Sequence, residues 1–240
     1  MRPSSAARPT RGGGTTARLD SGSVDVYIET GSKRAFATAI DWPGWSRAGR
    51  DEAAALDALF AYGPRYARVV GRSRLGFRAP NDAAELVVVE RVKGNATTDF
   101  GAPGVQASVD ARPIDEADVR RSTAILRAVW RAFDRAADAA EGRRLATGPR
   151  GGGRSLPAIR DHVSGAEDGY LRALAWKAPR DADAAGIRAA VLEAFTHAAR
   201  HGVEERGPRG GKRWTPRYFV RRVAWHALDH AWELQDRTPA

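Results

Sequence analysis

The sequence predicts an α+β protein: a small N-terminal β-β-α-β domain at residues 23–110, then a four-helix bundle at residues 114–237. Three observations predict it. Apolar residues alternate with period two between Val24 and Ile40, the mark of strands. From Ile114 the period becomes helical and persists through four segments separated by Gly- and Arg-rich loops. All five histidines, His162, His197, His201, His226 and His230, fall on those later segments.

The elements follow in order. Residues 1–22 hold Ser, Pro, Gly, Arg and Thr with a single Leu and read as a disordered tail. Val24, Val26 and Ile28 alternate with Asp25, Tyr27 and Glu29, a half-buried strand. Gly31-Ser32 turns the chain into a second strand with Phe36, Thr38 and Ile40, so the two form a hairpin. Asp41-Trp42-Pro43-Gly44-Trp45 is a turn cluster. Asp51 caps an Ala-rich helix bearing Leu56, Leu59 and Phe60, which Gly63-Pro64 should end or kink. After a loop at 71–84, the apolar run Glu85–Val92 reads as a third strand at a central position, and 93–113 as an extended linker.

The bundle helices are expected at about 115–140, 156–177, 183–205 and 216–236. The first carries a stripe of Val119, Leu126, Val129 and Phe133. Ser155 caps the second, with Pro157 in its first turn and Ile159, Val163, Ala166 and Tyr170 along one face. The third shows Ile187, Val191, Ala194, Ala198 and His201, and Thr215-Pro216 opens the fourth. Four amphipathic helices with loops between them make a bundle in outline.

Composition limits the function. A chain of 240 residues with 42% hydrophobic and 28% charged residues can bury a core. The absence of Cys excludes disulfides, thiolate metal sites and a cysteine nucleophile. No run of about 18 apolar residues occurs and the N-terminus lacks a signal-peptide core, which predicts a soluble, cytoplasmic protein without a membrane role. The net charge is +10, and with four Lys among 39 basic residues the remaining 35 are Arg, a bias resembling actinobacterial composition. Such basicity suits an anionic partner, but the basic stretches at 1–20, 143–160 and 200–222 are a tail and two loops. Aromatic and basic residues do not interleave in a patch, so nucleic acid is not the favoured partner.

The histidines carry the chemistry. His226 and His230 lie four apart on the fourth helix, on the stripe that also holds Phe219 and Val223. Two imidazoles in an apolar stripe need partners, and a metal ion satisfies both. His162 is the candidate third ligand. It lies roughly 9 Å from its end of the second helix, and the His226/His230 midpoint roughly 12 Å from the far end of the fourth. Antiparallel neighbours would bring the three to nearly one level. Three His with an open position suit Zn²⁺ or Ni²⁺. Glu167 and Asp229 are the nearest carboxylates in sequence and candidates to orient an imidazole, and Tyr170 could line the pocket. His197 and His201 repeat the spacing on the third helix but read as a partly exposed pair near a C-terminus.

RDHVSGAEDGYLRAL and RRVAWHALDHAWELQDR together resemble the DinB/YfiT-like family of bacterial metal-binding four-helix bundles, over residues 114–237. The resemblance implies metal ligation by His162, His226 and His230 and gives no place to His197 and His201. It implies bundles that run up-down-down-up with a crossover from the second to the third helix, here the short KAPRDADA connection. It also implies a thiol-dependent transferase or isomerase acting on a small electrophile, with mycothiol as the first thiol to consider. The segment AFATAIDWPGWSRAGRDEAAALDALFAYG is similar to the small domain of HicB-like antitoxins. That similarity implies the alternative reading: a binding or regulatory protein that contacts protein or nucleic acid, with a structural or sensory metal bundle. Either reading admits a homodimer.

Overall fold

The computed structural model describes residues 22–148 and 153–239. The tail expected at 1–22 lies outside the described residues except for Gly22, as do residues 149–152 of the Arg-rich loop. The protein is α+β, with a four-stranded mixed sheet in its N-terminal part and six α-helices among the described residues.

Strands β1 (Val24–Thr30), β2 (Ala35–Ala39), β3 (Ser46–Gly49) and β4 (Leu86–Lys93) stand in the order β3-β2-β1-β4. β1 pairs antiparallel with β2, β2 antiparallel with β3, and β1 parallel with β4. Two expectations are corrected here. The order is β-β-β-α-β, because the turn at Asp41–Trp45 leads into a short strand that the pattern does not betray. Gly44 makes that turn at φ +96°, with Ala224 3.3 Å from where its Cβ would stand. The run Glu85–Val92 forms an edge strand, not a central one, and Val87 and Val89 on it are 43% and 51% exposed.

Helix α1 (Glu52–Val70) is capped by Asp51, whose carboxylate accepts from the Ala54 amide at 2.8 Å. It continues through Gly63-Pro64 to Val70, so the helix does not end there. Its Ala55, Leu59 and Tyr66 pack on the sheet face made by Val24, Val26, Ile28 and the β2 alanines.

The opposite face holds Tyr27, Glu29, Phe36, Thr38 and Ser46, all buried. β1 is therefore buried on both sides, where alternation with Tyr27 and Glu29 had suggested one. The cover is helix α6 (Pro216–Arg237). Trp225 of α6 meets Phe36 edge-on at 6.0 Å, and the Arg221 guanidinium lies over Tyr27 at 5.3 Å. The segment expected as a linker is ordered onto the same face. It contains α2 (Ala96–Phe100) and a 3₁₀ turn, Ser108–Ala111. Glu29 holds it by accepting from the Thr98 hydroxyl and from the Gly104 and Val105 amides, the latter two at 2.8 and 3.1 Å. Asp110 from that turn forms a buried ion pair with Arg221.

Ion pairs fix the directions of the remaining helices, α3 (Glu116–Ala139), α4 (Leu156–Leu171) and α5 (Ala184–His201). Arg160 near the start of α4 pairs with Asp138 and Glu141 at the end of α3, so these two are antiparallel. Arg188 pairs with Asp134 and Arg200 with Glu116, so α5 also opposes α3. Arg217 pairs with Asp118 at the starts of α6 and α3, and Arg143, just past α3, donates to the Pro239 carbonyl just past α6. α3 and α6 are thus parallel, and α4 and α5 run together against them. α4 and α5 end earlier than expected, with a 3₁₀ turn at Arg172–Leu174 and a stop at Gly202. No helix among the described residues is long and apolar enough to cross a membrane.

Candidate metal centre

His162 stands in the second turn of α4, and His226 and His230 stand one turn apart on α6. Antiparallel alignment sets them level: His162 meets both α6 histidines, while Tyr170, eight residues later, meets Arg222 earlier on α6 and Trp214 just before that helix. Ring centroids are 4.9 Å apart for His162–His226 and His162–His230, and 4.7 Å for His226–His230. One ligand nitrogen from each lies within 4.8 Å of the others, the one such group of three among the described residues. Nε2 of His162 and Nε2 of His226 are 3.1 Å apart. Two ligands of a tetrahedral Zn²⁺, each about 2.0–2.1 Å from the ion, would be about 3.3–3.4 Å apart. The residues present therefore fit a divalent ion.

The electrostatics keep the imidazoles in their ligand form. Burial, then the neighbouring His230 and His162, push His226 down to about 2. His162 is lowered by burial and by His230 and Arg154, with Glu233 opposing. Both are neutral at pH 7, as a metal ligand must be. Nδ1 of His226 is buried without a hydrogen-bond partner, so no other protein group fixes that ring. His230 differs. Its Nδ1 meets Glu233 Oε2 at 2.7 Å, which leaves Nε2 for the centre. Glu233 is held in turn by Arg237 at 2.6 Å, and His230 and Arg237 together lower its carboxyl to about 2. This is a carboxylate–histidine arrangement of the kind that fixes ligand tautomers.

The structure brings Tyr170 to the site, its ring 5.9 Å from His226. It takes Asp229 elsewhere, into an ion pair with Arg47 of β3 at 2.9 Å. Glu167 is buried against α3, where Trp130 Nε1 donates to it at 2.7 Å. His197 and His201 lie apart from the triad, exposed on α5, with ring centroids 4.6 Å from each other. Sequence reasoning missed Glu233 and Arg237. Their positions three and seven residues after His230 follow the helical neighbour rule, so the signal was present. It also missed Arg222, one turn before His226 on the same face, buried between Tyr170 and Trp225 with Nε and Nη1 unpartnered.

Comparison with family models, with curated proteins and with solved structures returned no match.

Proposed function

We propose that residues 114–237 form a DinB/YfiT-like bundle in which His162, His226 and His230 hold Zn²⁺ or Ni²⁺, and that the protein is a thiol-dependent transferase or isomerase acting on a small electrophile. The observation that carries the metal reading is the convergence of three imidazoles, with one ligand nitrogen from each within 4.8 Å of the others. The helix directions support the family reading, since α3 up, α4 and α5 down and α6 up is the order the resemblance implies.

A divalent ion bound by three His supplies Lewis acidity that lowers the pKa of a thiol and yields a nucleophile at neutral pH. The chain's own residues do the positioning. Glu233 keeps the proton of His230 on Nδ1, and Arg237 keeps Glu233 ionised and in place. Burial of His226 under Trp225 and Tyr170 excludes water from one side of the centre. Arg222 and Arg154 set positive charge beside it, which favours an anionic thiolate over a thiol.

Metal content, measured by mass spectrometry on untagged protein, tests the first part. About one equivalent of Zn²⁺ or Ni²⁺ is expected, lost in each of His162→Ala, His226→Ala and His230→Ala. A wild type that takes up no metal after reconstitution overturns it. The second part is tested by following mycothiol addition to monochlorobimane. A rate no higher than that of the metal-free protein, across several electrophiles, sinks thiol transfer while leaving the metal site intact.

A further inference from the structure

We propose a second metal site on the outer face of α5, formed by His197 and His201, that takes a borderline transition ion such as Cu²⁺, Ni²⁺ or Zn²⁺. The two side chains are four residues apart on one helix, so they project side by side. Both are exposed, their ring centroids are 4.6 Å apart, and no hydrogen bond or ion pair engages either ring among the described residues. Exposed, uncommitted imidazoles at this spacing are a chelating pair, and imidazole selects this class of ion over Mg²⁺ or Ca²⁺.

The surroundings suit an ion. The pair lines a groove of about 420 Å³ between α3 and α5, which leaves room for water ligands. Thr123 and Thr196 line it too, with Glu193 one turn before His197 and two arginines, Arg127 and Arg200, the latter paired with Glu116. Only the His162 triad brings three ligand atoms together among the described residues, so the α5 pair offers two protein ligands and leaves the rest to solvent. It is therefore the weaker and more exchangeable of the two sites. The two are also far apart. The groove faces Thr123 and Arg127 of α3, whereas α4 near His162 pairs with Asp138 and Glu141 at its other end. At a rise of about 1.5 Å per residue that is roughly 20 Å along the helix, too far for one ion to touch both.

Trp176 provides the readout, because its ring lies 5.2 Å from that of His197. Untagged full-length protein is titrated with Cu²⁺ alone, following tryptophan fluorescence and, by calorimetry, the copper bound at equilibrium. The wild type is expected to bind two equivalents, with quenching on the second that Trp176→Phe removes. His197→Ala and His201→Ala each lose one equivalent and that quenching, with circular dichroism unchanged. The His162→Ala, His226→Ala double variant keeps the Trp176 quenching. The proposal is overturned if copper stoichiometry and quenching are the same in His201→Ala as in the wild type. Loss of the triad's equivalent alone would count against the proposed function and not against this site.

Discussion

Burial pushes two neighbouring parts of α4 toward the same neutral state by opposite routes. His162 loses its proton, whereas Glu167, 1% exposed, keeps one, because burial raises its carboxyl to about 7 against the lowering effects of Trp130 and Arg188. The usual value is 4.5, so Glu167 favours the folded state fully only below about pH 4.5, and that support is lost as pH rises through 7. Glu167→Gln keeps an acceptor for the Trp130 indole and removes the titration. It is expected to raise the melting temperature at pH 8 and leave it nearly unchanged at pH 4.5, with a stability gain of up to about 3 kcal/mol at the higher pH. An equal shift at both pH values would mean that Glu167 does not titrate in this range. Sequence spacing made Glu167 a candidate for orienting a ligand because it lies five residues from His162. Five residues turn a helix side chain to a different face, and the carboxylate found Trp130, 37 positions away. Glu233 holds that relation to His230 at a spacing of three.

At the scale of elements, α6 decides both halves of the structure. From Tyr218 to Leu228 every residue is buried, including Arg221 and Arg222. One side presents His226 and His230 to α4, and another presents Trp225 and Arg221 to the sheet. The His stripe was legible because it sits among Phe219 and Val223. The sheet-facing side was not, because Arg221 reads as solvated when its partner is out of view. Asp110, 111 residues away, is what makes Arg221 a buried residue. Asp110→Ala leaves that guanidinium buried and unpaired, which is expected to cost about 3–5 kcal/mol in urea unfolding. The paired replacement Asp110→Leu, Arg221→Met should recover most of the loss. Trp225→Ala opens a cavity against Phe36 and is expected to cost about 3–5 kcal/mol. The short strand Ser46–Gly49 escaped for a related reason: Ser-Arg-Ala-Gly carries no apolar alternation, and β2 and α1 supply its hold.

For the molecule as a whole, the sheet is finished by a helix that begins more than 120 residues after Lys93, the last residue of β4. A fragment ending at residue 113 would lose Trp225 from Phe36 and Arg221 from Tyr27 and Asp110. Such a fragment is expected to aggregate or to show no cooperative thermal transition, and a sharp, reversible melt would show that the N-terminal part stands alone. The order of α3 to α6 was legible only through the resemblance. Nine residues, 175–183, join the end of the 3₁₀ turn after α4 to the start of α5, and an extended chain covers roughly 3.3 Å per residue, enough to return along α4. Length alone therefore allowed either direction, and the pairs Arg188–Asp134 and Arg200–Glu116 select one.

The position of α6 between the triad and the sheet has a consequence for amide exchange. If β1 and β2 lose their protons to solvent only when α6 detaches, an ion held by His226 and His230 slows that exchange without touching either strand. With free metal at about a hundred times its dissociation constant, the gain is about 2.7 kcal/mol, close to a hundredfold slower exchange. Mass-spectrometric deuterium uptake of a peptide spanning residues 24–39, with and without Zn²⁺, reads that slowing directly. Uptake unchanged by metal would mean that the strands open while α6 stays in place.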